Sequence, residues 1–122
     1  MPDAESVAGA CLQAWTKGDF DTAASLIEED ISFVGPFGAA EGAEAYMSGL
    51  RRFHERGVRA AEIRRVFSDG DEVCIIYDLV TDTPAGTIPS AGWDQLRNGK
   101  IASVRAFFDA RPLVPSSTAP ER

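Results

Sequence analysis

The sequence predicts an α+β domain in which three N-terminal helices pack on one face of a strongly curved, mainly antiparallel mixed sheet. Three observations carry that prediction. Apolar residues in the first half of the chain recur three and four apart, the helical spacing. In the second half they alternate, as in strands with one face buried. Turn sequences break up that second half at 68–71, 83–86 and Asn98-Gly99. Helices first and strands last put the helices on one side of the sheet.

Taken in order, residues 4–17 form the first helix, with Val7, Ala10, Cys11 and Ala14 as a stripe that Leu12 and Trp15 widen. Asp3 or Ser6 caps its start and Gly18 ends it. Asp19 caps a second, short helix with Phe20, Ala23, Ala24 and Ile27 on one face, closed by the acidic run Glu28 to Asp30. A short strand, Ile31 to Val34, stops at Gly35-Pro36, and the Gly/Ala-rich stretch Phe37 to Gly42 reads as a loop. A third helix covers roughly 43–56, with Tyr46, Met47, Leu50, Phe53 and His54 on its apolar side. The strand Arg59 to Phe67 places Ala61, Ile63, Arg65 and Phe67 on one side and Val66 on the other. The strand Glu72 to Thr83 is apolar on both faces, so spacing alone does not assign a face to Asp78. Two more strands follow, Thr87 to Leu96 and Lys100 to Asp109, with Pro89 marking an edge or a bulge. Residues 1–111 thus make one domain, and the proline-rich, small and polar residues 112–122 are expected to be a disordered tail.

The net charge of −7 argues against nucleic acid or an anionic membrane as a partner, since either needs a basic stripe. The arginines between 51 and 65 are interrupted by Glu55 and Glu62 and read as a mixed-charge solvated face. Cys11 and Cys74 stand apart with apolar neighbours, as free thiols of a reducing cytoplasm would, and no secretory pattern precedes them. One histidine and two scattered cysteines give no zinc pattern, so neither metal nor cofactor is expected. No apolar run is long enough to span a bilayer.

One carboxylate stands out. Asp94 lies inside a strand, where an acid is costly unless it is hydrogen-bonded, protonated or used. With a two-residue loop at Asn98-Gly99 it would pair with Ser103, on the face of Arg105 and Phe107. With a three-residue loop and a bulge at Gly99 it lies opposite Ala102, on the face of Leu96, Val104, Ala106 and Phe108. The second register sorts polar from apolar residues better and sets Asp94 alone on the inner surface, where desolvation raises its pKa. It is then a candidate acid or hydrogen-bond donor; the structural alternative is a carboxylate that only bonds a backbone amide. Trp93, Ile101 and Phe107 fall on the other face, which needs a second cover, and a partner subunit supplies one. His54 is a candidate base, against a capping or surface role, and Asp78 could pair with Asp94 if it faces inward. Trp15, Phe33, Phe37, Tyr46, Leu50, Phe53, Leu96, Val104, Ala106 and Phe108 are the expected pocket wall, with Tyr46 and Tyr77 as possible donors.

This order of elements, with Ala14-Trp-Thr-Lys-Gly-Asp-Phe-Asp21 near the start and the Asp94–Asp109 hairpin at the end, resembles the nuclear transport factor 2-like superfamily. That superfamily, the cystatin-like α+β cone, includes the SnoaL-like polyketide cyclases and ketosteroid isomerase. The resemblance covers residues 4–111. It implies helices at the mouth of a cone, a bent sheet as its wall, a pocket inside and dimerisation through the outer sheet face. Ketosteroid isomerase combines an Asp base with an oxyanion hole of a Tyr and a protonated Asp. The strand acid falls on Asp94, but the base falls on Gly35 and the tyrosine on Cys11. The Asp-Arg-Asp set of limonene epoxide hydrolase has its late Asp at Ala106, beside Arg105. The single acid of the SnoaL-like cyclases is kept. The resemblance therefore implies a small hydrophobic, oxygen-bearing ligand and, as an activity, cofactor-free isomerisation or cyclisation by one acid rather than epoxide hydrolysis. The alternative is a non-catalytic ligand-binding or dimeric assembly module of the same fold.

Overall fold

The Asp3 side chain accepts a hydrogen bond from the Ser6 N–H at 2.8 Å and so starts α1 (Ala4–Thr16). Asp19 caps α2 (Phe20–Ser25) in the same way, through the Thr22 N–H. The computed structural model describes residues 3–113. After α2 come β1 (Ile27–Gly35), β2 (Gly38–Glu41), α3 (Ala43–Glu55), β3 (Val58–Asp69), β4 (Glu72–Thr81), β5 (Thr87–Arg97), β6 (Lys100–Phe108) and a single 3-10 turn, Arg111–Leu113. The six strands form one sheet in the order β2-β1-β6-β5-β4-β3. β1 runs parallel to β6, and every other neighbouring pair is antiparallel. Among the described residues no helix is long and apolar enough to cross a membrane.

Where the structure departs from the sequence pattern, bulges and a short edge strand are the reasons. The acidic run Glu28 to Asp30 lies inside β1 rather than closing a helix. Ile27 and Ile31 are both buried while Glu29, between them with the same parity, is exposed, and the pairing with β6 shifts between Ile27 and Ser32. That shift hides the alternation of a strand. The stretch read as a loop contains β2, which pairs with β1 from Gly35↔Gly38 to Ser32↔Glu41; its small residues carry no apolar alternation to announce it. In β3 the register skips Arg64, so Val66 packs against the core and Phe67 turns outward, the reverse of the expected sides. Pro89 does stand at an edge, because β6 pairs with β5 only as far as Ser90.

The last hairpin has the two-residue turn. Asn98 (φ 56°) and Gly99 (φ 78°) are both left-handed, as a type I′ turn requires. Arg97 pairs with Lys100 and Leu96 with Ile101; the register then skips Ala102, so that Gln95 meets Ser103 and Asp94 meets Val104. The inner position expected for Asp94 is therefore correct, but a bulge at Ala102 produces it. The same bulge corrects the place of Ile101. It is 1% exposed and inside, not on the outer face.

The concave face carries Val73, Ile75, Tyr77 and Leu79 of β4, Ile88 and Leu96 of β5, and Ile101 and Val104 of β6. Val7, Ala8, Cys11 and Trp15 of α1 and Met47 and Leu50 of α3 cover it; Ala10, read into the α1 stripe, is exposed. Leu113 is buried too, so the ordered chain runs past Arg111 into part of the segment read as tail; the remainder of that segment lies outside the described residues. Gly57 ends α3 with φ 110°, and its carbonyl accepts from the Asp82 N–H at 2.9 Å. A Cβ there would lie 2.4 Å from Thr83 Cγ2 and 2.9 Å from Asp82 Oδ1. Gly57→Ala is expected to cost about 1–3 kcal/mol, read as a lower urea midpoint; an unchanged midpoint would contradict this account of the α3–β3 junction.

Candidate active site

β5 delivers Asp94 to the concave face, where it is 9% exposed. Burial pushes its carboxyl up to about 7, and among the described residues nothing donates a hydrogen bond to it. Gly92, two residues earlier on the same face, keeps the space beside it open. A Cβ on Gly92 would sit 3.8 Å from Asp94 Oδ1 and 3.8 Å from the Tyr77 ring.

The carboxyl borders a cavity of about 50 Å³, room for a few water-sized groups. Cys11 and Trp15 of α1, Tyr46, Leu50 and Phe53 of α3, Tyr77 of β4, and Ile101, Val104, Ala106 and Phe108 of β6 enclose it, together with Phe33 of β1. Burial first, then the nearby Asp94 charge, pushes the Cys11 thiol up to about 12. Burial likewise raises the Tyr46 and Tyr77 hydroxyls, with Asp94 adding to it. Near neutral pH these three groups keep their protons, so Asp94 is the cavity's proton-exchanging group. Phe33, Tyr46, Leu50 and Phe53 also border a second, outer volume of about 310 Å³.

Most of the wall expected from sequence is in place. Two members are not. Phe37 stands at the outer volume, its ring 5.7 Å from that of Phe53 and 6.2 Å from that of Phe108. Leu96 borders neither volume; it packs at the base of the last hairpin, where its N–H bonds the Asp71 carbonyl at 2.8 Å. The sequence reading left Ile75, Leu79 and Gly92 out of the wall. Their signal was present: the first two share the period-two face of Tyr77, and Gly92 shares that of Asp94.

Neither further candidate joins Asp94. Asp78 alternates with inward Tyr77 and so faces outward, where Arg64 holds it through Nε at 2.8 Å and Nη2 at 2.7 Å. His54 is turned away from the cavity toward α2. Its ring meets Phe20 edge-on at 5.6 Å and fills the space beside Gly18, and its buried Nδ1 has no hydrogen-bond partner among the described residues. Phe53, about 100° around the helix from His54, is the residue of the two that borders the cavity. Gly35 could not carry an acid without rearrangement, since a Cβ there would lie 2.6 Å from the Phe33 ring. Ala106 does line the cavity and brings no carboxylate to it.

The profile of the SnoaL-like domain matches residues 8–104. The chain belongs to the SnoaL-like domain family. Its fold recurs in a Kribbella flavida protein, 30% identical, with a TM-score of 0.81 over 88% of this chain and 87% of that one. A nuclear transport factor 2-like protein of unknown function from Cytophaga hutchinsonii is 28% identical, with a TM-score of 0.79 over 93% and 96% of the two chains. An M. tuberculosis epoxide hydrolase of the limonene epoxide hydrolase-like kind shares the fold at 23% identity, with a TM-score of 0.74 over 90% and 85%. No curated protein matches the sequence. The SnoaL-like cone is thus the architecture, and the residues inside it have to carry the argument about function.

Proposed function

We propose that this SnoaL-like protein binds a small hydrophobic molecule bearing a carbonyl or hydroxyl oxygen and that Asp94 acts on that oxygen as an acid. The observation that carries the reading is a carboxyl with a pKa raised to about 7, with no hydrogen-bond partner among the described residues, at the wall of a largely apolar hollow. The neutral form donates a hydrogen bond to a ligand carbonyl. In a ring closure, an enol carbon of the same ligand attacks that carbonyl carbon and the carbon–carbon bond forms. The carbonyl π pair moves to oxygen, which takes the Asp94 proton, and the resulting carboxylate accepts the proton released by the enol. Atoms and charge balance with no other reactant, so the reaction class is a cofactor-free cyclisation or the related isomerisation. Tyr46 and Tyr77 serve as further donors to ligand oxygen.

The test uses an acyclic, enolisable diketone that closes to a hydroxycyclohexanone, followed by chromatographic loss of the open-chain diketone. Turnover should fall as pH rises through about 7, where Asp94 loses its proton. Asp94→Asn should retain diketone binding and lose on the order of a hundredfold in rate. If the variant binds and turns over as the wild type does, the acid role is wrong. If the diketone binds and neither protein turns it over, the ligand-binding alternative takes its place.

The outer sheet face supports a homodimer. Phe67, Cys74 and Trp93 lie in one cross-strand row and Ile76, Ala91 and Phe107 in the next. Trp93 is 39% exposed and Phe107 56%, an apolar stripe of the kind a partner covers. Light scattering should give about twice the chain mass of 13.1 kDa, and Trp93→Glu should return it to the single-chain value. A single-chain mass for the wild type at micromolar concentration would exclude the dimer.

A further inference from the structure

The outer volume is built differently from the inner one. Small residues of β2 and α3, among them Ala40, Ala45 and Gly49, leave its floor open, and Arg52 of α3 and Arg56, which caps the end of that helix, stand over it. Arg52 donates to Ser48 Oγ at 3.1 Å, with its other guanidinium nitrogen across the bare Gly49, where a Cβ would be 3.8 Å away. The Arg56 guanidinium lies 4.9 Å from the centre of the Phe37 ring. Among the described residues no carboxylate forms an ion pair with either arginine; Arg51, Arg65 and Arg105 are likewise without one, and what sets Arg52 and Arg56 apart is that both border the same groove. Two cations without counter-ions, one stacked on an aromatic ring, therefore share one groove.

We infer that this groove receives a carboxylate, and that the ligand of the inner cavity is an apolar carboxylic acid held by Arg52 and Arg56 at its charged end. The inference rests on the reading of Asp94 given above and names the substrate class for it. Each guanidinium keeps several N–H donors free, in the fork geometry that suits a carboxylate. Phe37 and Phe53 flank the apolar body of the ligand in the outer volume, and its far end meets the wall of Phe33, Tyr46, Leu50 and Phe53 that this volume shares with the inner cavity. That orientation directs the uncharged, oxygen-bearing end toward Asp94. A buried carboxyl that ionises near neutral pH would repel a ligand carboxylate, so the charged end belongs at the mouth. The overall negative charge repels anions at long range, which leaves these two side chains to supply the attraction at the groove.

The test compares phenylbutyrate with its uncharged amide, phenylbutyramide, by titration calorimetry at low salt. The acid should bind about tenfold or more tightly than the amide, and added salt should narrow the gap. The double variant Arg52→Gln/Arg56→Gln, at two exposed positions, should bring the two affinities within about twofold, whereas Asp94→Asn should preserve the preference. Equal affinities in the wild type, binding of neither compound, or a preference that survives the double variant would overturn the inference. Failure of the Asp94 reading looks different: it is an ordinary carboxylate titration of Asp94 in the unliganded protein.

Discussion

Asp94→Asn is expected to make the protein more stable than the wild type in alkali and to leave it close to the wild type in acid. The sign follows from the two proton affinities. The unfolded carboxyl titrates near 3.8 and the folded one at about 7. Below the lower value the group is neutral in both states, and burial carries no charge penalty. Between the two values the native state holds a proton that the unfolded state has released, so native stability falls as pH rises. Above about 7 the penalty is complete, on the order of 4 kcal/mol for such a displacement. Asparagine has the same shape and no charge, so its stability curve lacks this one decline. Urea unfolding of both proteins at about pH 4 and about pH 9 isolates the difference, because every other carboxylate contributes equally to both. Parallel curves would mean that Asp94 ionises freely in the folded protein, and the proposed acid would then have no physical basis.

The same burial links stability to chemistry. A carboxyl that weakens the fold when charged is one that the fold keeps protonated near neutrality. A site that stabilised the carboxylate would lower its pKa and remove its ability to donate a proton. Asp109 shows that opposite case. Hydrogen bonds from Arg111, first through its side chain and then its backbone N–H, hold that exposed carboxyl at about 2, and it has no proton to offer at neutral pH.

Much of this was legible in the sequence because apolar periodicity reports which face is buried, and the elements with clean periods were placed correctly. α1 and α3 have capped or glycine-terminated ends; β4 is apolar on both faces in sequence, and only its burial in the fold alternates. What could not be read is what periodicity does not encode. A bulge changes the phase of a strand without changing its composition, and for that reason Ile101 and Phe67 were assigned to the wrong faces. β2 has no large apolar side chain, so no alternation announces its pairing with β1. His54 and Phe53 are adjacent on one helix, and only the packing of α2 decides which of them turns to the cavity. The Asp94 face was recovered because sorting polar from apolar residues over the whole hairpin constrains it more than the turn type does.

Ile101 and Phe107, six residues apart on β6 and first assigned to one face, should respond oppositely to truncation. Ile101 is almost fully buried and borders the inner cavity. Ile101→Ala removes three carbons from a wall that already faces open space, so neighbouring side chains have little support to collapse into the gap. The expected loss is about 3–4 kcal/mol, within the range for large-to-small changes in a core, and the hollow beside Asp94 should widen enough to bind a bulkier ketone. Phe107 lies on the outer face and is more than half exposed. Phe107→Ala should change the stability of the single chain by about 0.5 kcal/mol or less, while weakening association of the proposed dimer. Urea midpoints measured at high dilution, with masses measured at micromolar concentration, separate the two effects. Equal losses of stability at the two positions would mean that Ala102 does not bulge, and the inward position of Asp94 would lose the register on which it depends.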